Sequence, residues 1–235
     1  MRTFACLLAL SFVACTPEAA DGDRLIDGIL LRDVTSATWV DGVDNAWFPL
    51  PVGATWDYSA ETPDGLETIH VEVLAETREV NGVTATVVYD VVALDDVVVE
   101  ETWDWYAQDT AGNVWYLGED TCEFEAGECA VHAGAWEWGV DGALPGVLMP
   151  GEPVVDGQPY FQEYHEGVAE DVGEILEIGG TIEVGETTWT DCVRTADTSH
   201  LDPELSEEKV YCAGVGNVHV SEPDADVWLQ GTTGL

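Results

Sequence analysis

Positive charge is nearly missing from this chain: six Lys and Arg stand against 47 Asp and Glu, a formal net charge of −41. Such a field repels phosphate backbones, which sets nucleic acid aside as a partner. It also works against docking on anionic lipid by charge alone. No Cys-x-x-Cys pair occurs, so zinc ribbons and thioredoxin-like redox sites have no support. Gly-x-Ser-x-Gly, His-Glu-x-x-His, the phosphate loop and the dinucleotide fingerprint are all missing. His165-Glu166 begins a zinc-protease pair without its second histidine, and GVGNVH has too few glycines for a cofactor loop. The apolar run from Phe4 to Ala14 is shorter than the ~20 residues that a membrane-spanning helix needs. Disorder is excluded from the other side, because the chain is 46% hydrophobic with ten tryptophans.

What is present begins with an address. Met1 and Arg2 give a basic start, the uncharged run follows, and Phe12-Val13-Ala14-Cys15 ends it just before Glu18, Asp21 and Asp23. This is the layout of a secretory signal. The string before Cys15 resembles the lipobox of bacterial lipoproteins, departing from it with Phe12 where Leu is commonest. Phe12 is also too bulky for an ordinary cleavage site. The expectation is removal of residues 1–14 and lipid attachment at Cys15. The protein would then be held at the bacterial cell envelope by its lipid, at the outer rather than the inner membrane.

Cys6 falls inside that signal, leaving Cys122, Cys129, Cys192 and Cys212. An even set in an exported chain suits two disulfides. Of the three connectivities, Cys122–Cys129 and Cys192–Cys212 are favoured, one closing a small loop and the other linking neighbouring strands. Four buried free thiols are the alternative.

The rest of the chain reads as β-structure. Residues 15–44 are an acidic lead, a tether followed by a possible first strand, and 45–235 read as one β-domain. From Glu67 to Leu74, Ile69, Val71 and Val73 alternate with Thr68, His70 and Glu72. Asn81-Gly82 between two apolar runs is a strong hairpin signal. Asp95-Asp96 and Asp109 to Asn113 mark further turns. Strands of this length with regular turns predict an all-β, mainly antiparallel domain, a curved meander or half-barrel, with at most one or two short helices. One helix is a candidate over 168–178, weakened by Gly173. Residues 118–159, rich in Gly and Pro, are expected to form a long ordered loop held by Leu144, Val147, Leu148 and Met149.

Several segments resemble a broad group of bacterial exported proteins and lipoproteins without an assigned activity. They are WFPLPVGATWDY (47–58), QDTAGNVWYLGED (108–120), GVDGALPGVLMP (139–150), QEYHEGVAED (162–171), GETTWTDCVRT (185–195) and YCAGVGNV (211–218). Cys212 and Ala213 depart from the group's last string. The resemblance spans most of residues 45–220 and implies a curved antiparallel sheet and export, but no reaction. Read from the residues alone, Pro49, Pro51, Gly53 and the AGVG string (213–216) are folding devices.

Two constellations are candidate sites. Glu163, His165, Glu166, Glu170 and Asp171 gather around Gly167, a mixture that suits a divalent metal, at most weakly bound calcium. A solvated acidic rim is the competing reading, because clusters arise by chance among so many acids. Trp103 with Trp105, and Trp136 with Trp138, each share a strand face and form either a stacking platform for a ligand or sheet core. No catalytic residue stands out and no cofactor is expected. The sequence therefore reads as a lipid-anchored envelope protein that binds a partner protein or small ligand. A hydrolase using paired acids and a divalent-cation binder are the alternatives. Converging acids with raised pKa values would favour the enzyme.

Overall fold

The computed structural model describes residues 22–235. Cys15 and the expected signal lie outside the described residues. The strands are β1 (Arg24–Ile26), β2 (Ile29–Leu31), β3 (Thr55–Thr62), β4 (Gly65–Val80), β5 (Val83–Leu94) and β6 (Val97–Gln108). They continue with β7 (Val114–Glu125), β8 (Glu128–Val131), β9 (Trp136–Glu137), β10 (Leu144–Met149), β11 (Tyr160–Phe161) and β12 (Glu163–Tyr164). The last five are β13 (Asp171–Val184), β14 (Thr187–Ser199), β15 (Ser206–Cys212), β16 (Gly216–Ser221) and β17 (Asp226–Thr233). The expected all-β, mainly antiparallel and half-barrel-like architecture is what the chain forms.

The long ladders run β13-β14-β15-β16-β17-β3-β4-β5-β6-β7, every pair antiparallel. No ladder joins β7 directly to β13. Short strands bridge that opening, with β10 lying on β7, β12 on β10 and β11 on β13. Among the described residues, the one parallel contact sets Tyr160 of β11 beside Leu30 of β2. Local turn chemistry fixes the hairpins. Asn81 and Gly82 have φ of 47° and 83°, as do Asp95 and Asp96 at 49° and 65°. Positive φ at both central positions twists a two-residue turn the way its strands twist.

Both faces of the sheet are covered. Inside, Trp56, Val73, Val88, Tyr106, Met149 and Val218 belong to one large core. On the other face of β4 to β7, Val87, Trp105, Trp115 and Leu117 pack beneath Val34 and Trp39. Part of the acidic lead thus belongs to the fold. β2 is buried along its whole length, with Ile29 and Leu31 against Phe161 and Val172.

Two local expectations are overturned. Residues 168–178 hold no helix; β13 starts at Asp171 and pairs with β14 along its length. The apolar spacing was compatible with a helix, but hydrogen bonding to β14 decided the outcome. A Cβ on Gly173 would meet Gln162 Nε2 at 2.9 Å, so the tip of that side chain would have to shift to admit it. Residues 118–159 are not one long loop either. β7 continues to Glu125, and Leu144–Met149 is itself a strand, with Val147 and Met149 buried.

Candidate acidic cavity inside the half-barrel

The concave face should be apolar if it only filled a core, and it is not. In β5, Val88 and Asp90 project inward; in β6, Thr102, Asp104 and Tyr106 do the same. β7 would ordinarily send Tyr116 and Glu119 to opposite faces, since side chains alternate. A register shift prevents this: Trp105 pairs with Gly118 while Tyr106 pairs with Tyr116, leaving Leu117 as the extra residue. The bulge brings Tyr116 and Glu119 to the same side, beside Asp104.

The Tyr116 hydroxyl lies 2.5 Å from Asp104 Oδ1 and 2.8 Å from Glu119 Oε2. A phenol has one proton and donates to one carboxylate. The second contact is a hydrogen bond only when that carboxyl keeps its own proton and donates to the phenol oxygen. Electrostatics agree with the geometry. Burial, then the nearby Asp104 and Glu100, push Asp90 up to about 8. Burial raises Asp104 to about 7 against the opposing Tyr116 hydrogen bond, with Glu100 adding to the rise. Glu119 reaches about 8, from burial and then Asp104. Glu163 continues the acidic line, raised by burial and by Asp171 and Glu119, and it accepts a 2.6 Å hydrogen bond from the Trp136 indole.

Asp90 and Asp104 border a cavity of about 330 Å³. Trp56, Tyr58 and Val71 line it from β3 and β4, and Glu207, Lys209 and Tyr211 from β15. Phe48, Pro49 and Leu50 line it as well. Asn45 Oδ1 holds that segment by accepting from the amides of Trp47 and Phe48, and Phe48 packs on Tyr106 with ring centroids 5.3 Å apart. The Pro-rich segment and Gly216, read from sequence as folding devices, therefore also form cavity wall. Lys209, the single lysine of the chain, lies 3.1 Å from both Asp197 and Glu207. Burial alone would discharge it, but Asp197, Tyr211 and Glu207 outweigh burial and keep its ammonium charged.

The sequence-predicted residues have different places. Cys122–Cys129 and Cys192–Cys212 are bonded, with Cα separations of 5.7 and 4.0 Å, and Cys192 sits opposite Cys212 in the β14–β15 register. Trp105 is buried in the outer core under the Arg78 guanidinium, with Trp103 packed against the same core. Trp136 is buried inside and Trp138 is partly buried between the two cores. The four tryptophans make no shared exposed platform.

In the acidic turn, Glu163 is buried against Trp136, while Glu166 is exposed. His165 and Ala169 bridge across the turn, and Glu170 accepts from the Gly167 amide at 2.7 Å. Asp171 is half-buried at the start of β13. Among the described residues, no three His, Cys, Asp or Glu side chains are arranged to hold a metal ion. The sequence reading missed Asp90, Asp104, Tyr116, Glu119 and Lys209. One signal was available: Asp is disfavoured in strand interiors, and VVYDVV and TWDWYA each carry one.

No protein family matches the chain, and no curated protein matches it. Among solved structures, it is similar to one described as a "putative lipoprotein" from Parabacteroides distasonis ATCC 8503. The identity is 12%, the match covers 83% of this chain and 100% of that one, and the TM-score is 0.38. A likeness this loose carries no conclusion about fold, activity or location.

Proposed function

We propose that this is a lipid-anchored protein of the bacterial envelope that takes a small ligand into the cavity of its half-barrel. The cavity carries the reading. Its volume of about 330 Å³ falls within the range of small-molecule sites, and a few polar groups converge on aromatic and aliphatic walls. The test uses N-phenyl-1-naphthylamine, whose fluorescence rises in apolar surroundings. Wild type is expected to take it up saturably. Val71→Trp and Val220→Trp, each filling the cavity from a half-buried wall position, should lose that uptake while keeping a cooperative melt. Uptake unchanged in both variants would contradict the reading.

Support for the anchor comes from residues 12–15 alone. Wild type is expected to fractionate with membranes, durably because lipoprotein anchors carry more than one acyl chain, and Cys15→Ser is expected to be soluble or unprocessed. Wild type free in the periplasm with an unmodified amino terminus would end this part of the proposal.

A second reading, the hydrolase, has in its favour the converging acids with raised pKa values that would mark an enzyme, and their geometry. Asp104 and Glu119 share the Tyr116 hydroxyl in a partly enclosed site, as an acid and base pair of a hydrolase would. Release of nitrophenol from a panel of nitrophenyl glycosides by wild type, lost in Asp104→Asn, would put the hydrolase in place of the binder.

A further inference from the structure

The charge in the cavity is one-sided. Asp90 and Asp104 stand on adjacent strands, Asp104 opposite Val88 and Asp90 opposite Thr102, so they share one wall. Asp90 makes no side-chain hydrogen bond or ion pair among the described residues, and its open side is the cavity. Lys209 lines the cavity too, but its ammonium is already committed to Asp197 and Glu207. The other elements packed around the two aspartates add acid, phenol and apolar surface, with the Asn217 amide from β16. Tyr58 comes from β3, and β4 contributes Ile69 and Val71, with Glu67 placed nearer Glu100 and Glu222. β6 contributes Glu100 and Tyr106, β7 Tyr116 and Glu119, β15 Glu207 and Tyr211, and the end of β16 leads to Glu222.

We propose that the cavity is built for an organic cation, an alkyl- or arylammonium ion whose charged head lies between Asp90 and Asp104 and whose apolar part lies along Phe48, Tyr58 and Val71. This rests on the binding function proposed above and names its ligand class. A buried carboxylate without a counter-charge is costly, so beside a neutral or anionic guest the two aspartates are held toward their protonated form. An ammonium head supplies the missing charge, and the tyrosine faces attract it further. The net charge of −41 raises the local concentration of cations around the protein. Burial holds Asp90 up to about 8 and Asp104 up to about 7, so both take up and release protons around neutral pH. Ammonium binding then converts a carboxyl to a carboxylate and sends its proton to the buffer, with no covalent change in the ligand. Affinity must therefore rise with pH through the range in which these groups titrate.

Isothermal titration of full-length protein with n-hexylamine, n-hexanol and n-hexanoate separates the possibilities, because the three probes share a chain and differ in head charge. At pH 8, n-hexylamine is expected to bind saturably and the other two much more weakly. Its affinity should rise about tenfold or more from pH 6 to pH 8, with release of roughly one proton per ligand read from buffers of different ionisation heat. Asp90→Asn should weaken the amine about tenfold at pH 8 and leave hexanol unchanged. Equal affinity for amine and alcohol, or amine binding without pH dependence, would overturn the cation proposal while leaving the binding function standing. No saturable uptake of any of the three also overturns it. If N-phenyl-1-naphthylamine is then refused as well, the binding reading falls with it.

Discussion

Asp90→Asn is expected to stabilise the ligand-free protein at pH 8 and to change little at pH 5. The sign follows from linkage. Asp90 and Glu119 are raised to about 8 and Asp104 to about 7, all above the values of an unfolded chain. Between roughly pH 4 and 8 the folded state therefore holds more protons than the unfolded one, and stability falls as pH rises through that window. Each proton held only on folding gives a slope of up to about 1.4 kcal/mol per pH unit. These groups repel one another, so their contributions are not additive. A discounted figure of about 2 kcal/mol for Asp90 at pH 8 corresponds to roughly 4–8 °C in melting midpoint for a chain of this size. Asn has the same shape and cannot ionise, so it removes the penalty at pH 8 and replaces a neutral carboxyl by a neutral amide at pH 5. A variant less stable than wild type at pH 8, in melts recorded across this range, would contradict the argument.

Removing the Cys192–Cys212 bond should cost more than removing Cys122–Cys129. Both residues are almost fully buried, at 2% and 1% exposure, within the main core. The bond spans 20 residues of sequence, so the constraint it places on the unfolded chain is worth about 3 kcal/mol. Cys192→Ala/Cys212→Ala adds two small cavities in that core, for a total of about 3–5 kcal/mol. Cys122–Cys129 closes a separation of only seven and ties the buried Cys122 to the exposed β8, and its loss should cost less. Denaturant melts of the two double variants measure the difference. Non-reducing peptide mapping that joins Cys192 to Cys122 or Cys129 would refute the assignment outright.

What was legible in the sequence is what local chemistry decides. Asn81-Gly82 and Asp95-Asp96 could be placed as turns because few residues accept positive φ at both central positions. The alternation of Ile69, Val71 and Val73 marked one face of β4 because strand side chains repeat every two residues. The expected disulfide between neighbouring strands needed only such pairing, and the register provides it. Residues 168–178 failed because their partner, β14, is supplied by later sequence, and no local pattern announces it.

The cavity was illegible for the same reason. Tyr116 and Glu119 are three apart, and alternation would separate them; only the register shift against β6 sets them together. Lys209 reaches the same space from the far side of the ladder. The tryptophan pairs show the limit from the other direction. Their i,i+2 spacing identifies a shared face but not whether water or core lies over it, and Trp105 and Trp136 prove buried.

Carboxyl groups lining the half-barrel are expected to keep protons near neutral pH until a ligand displaces them. Carbon-13 NMR titration of the aspartate carboxyls, assigned with Asp90→Asn and Asp104→Asn, measures this directly in ligand-free protein. Midpoints near 8 for Asp90 and near 7 for Asp104 are expected, with loss of the Asp90 transition when n-hexylamine is bound. Midpoints near 4 for both, the value of an aspartate in water, would contradict it.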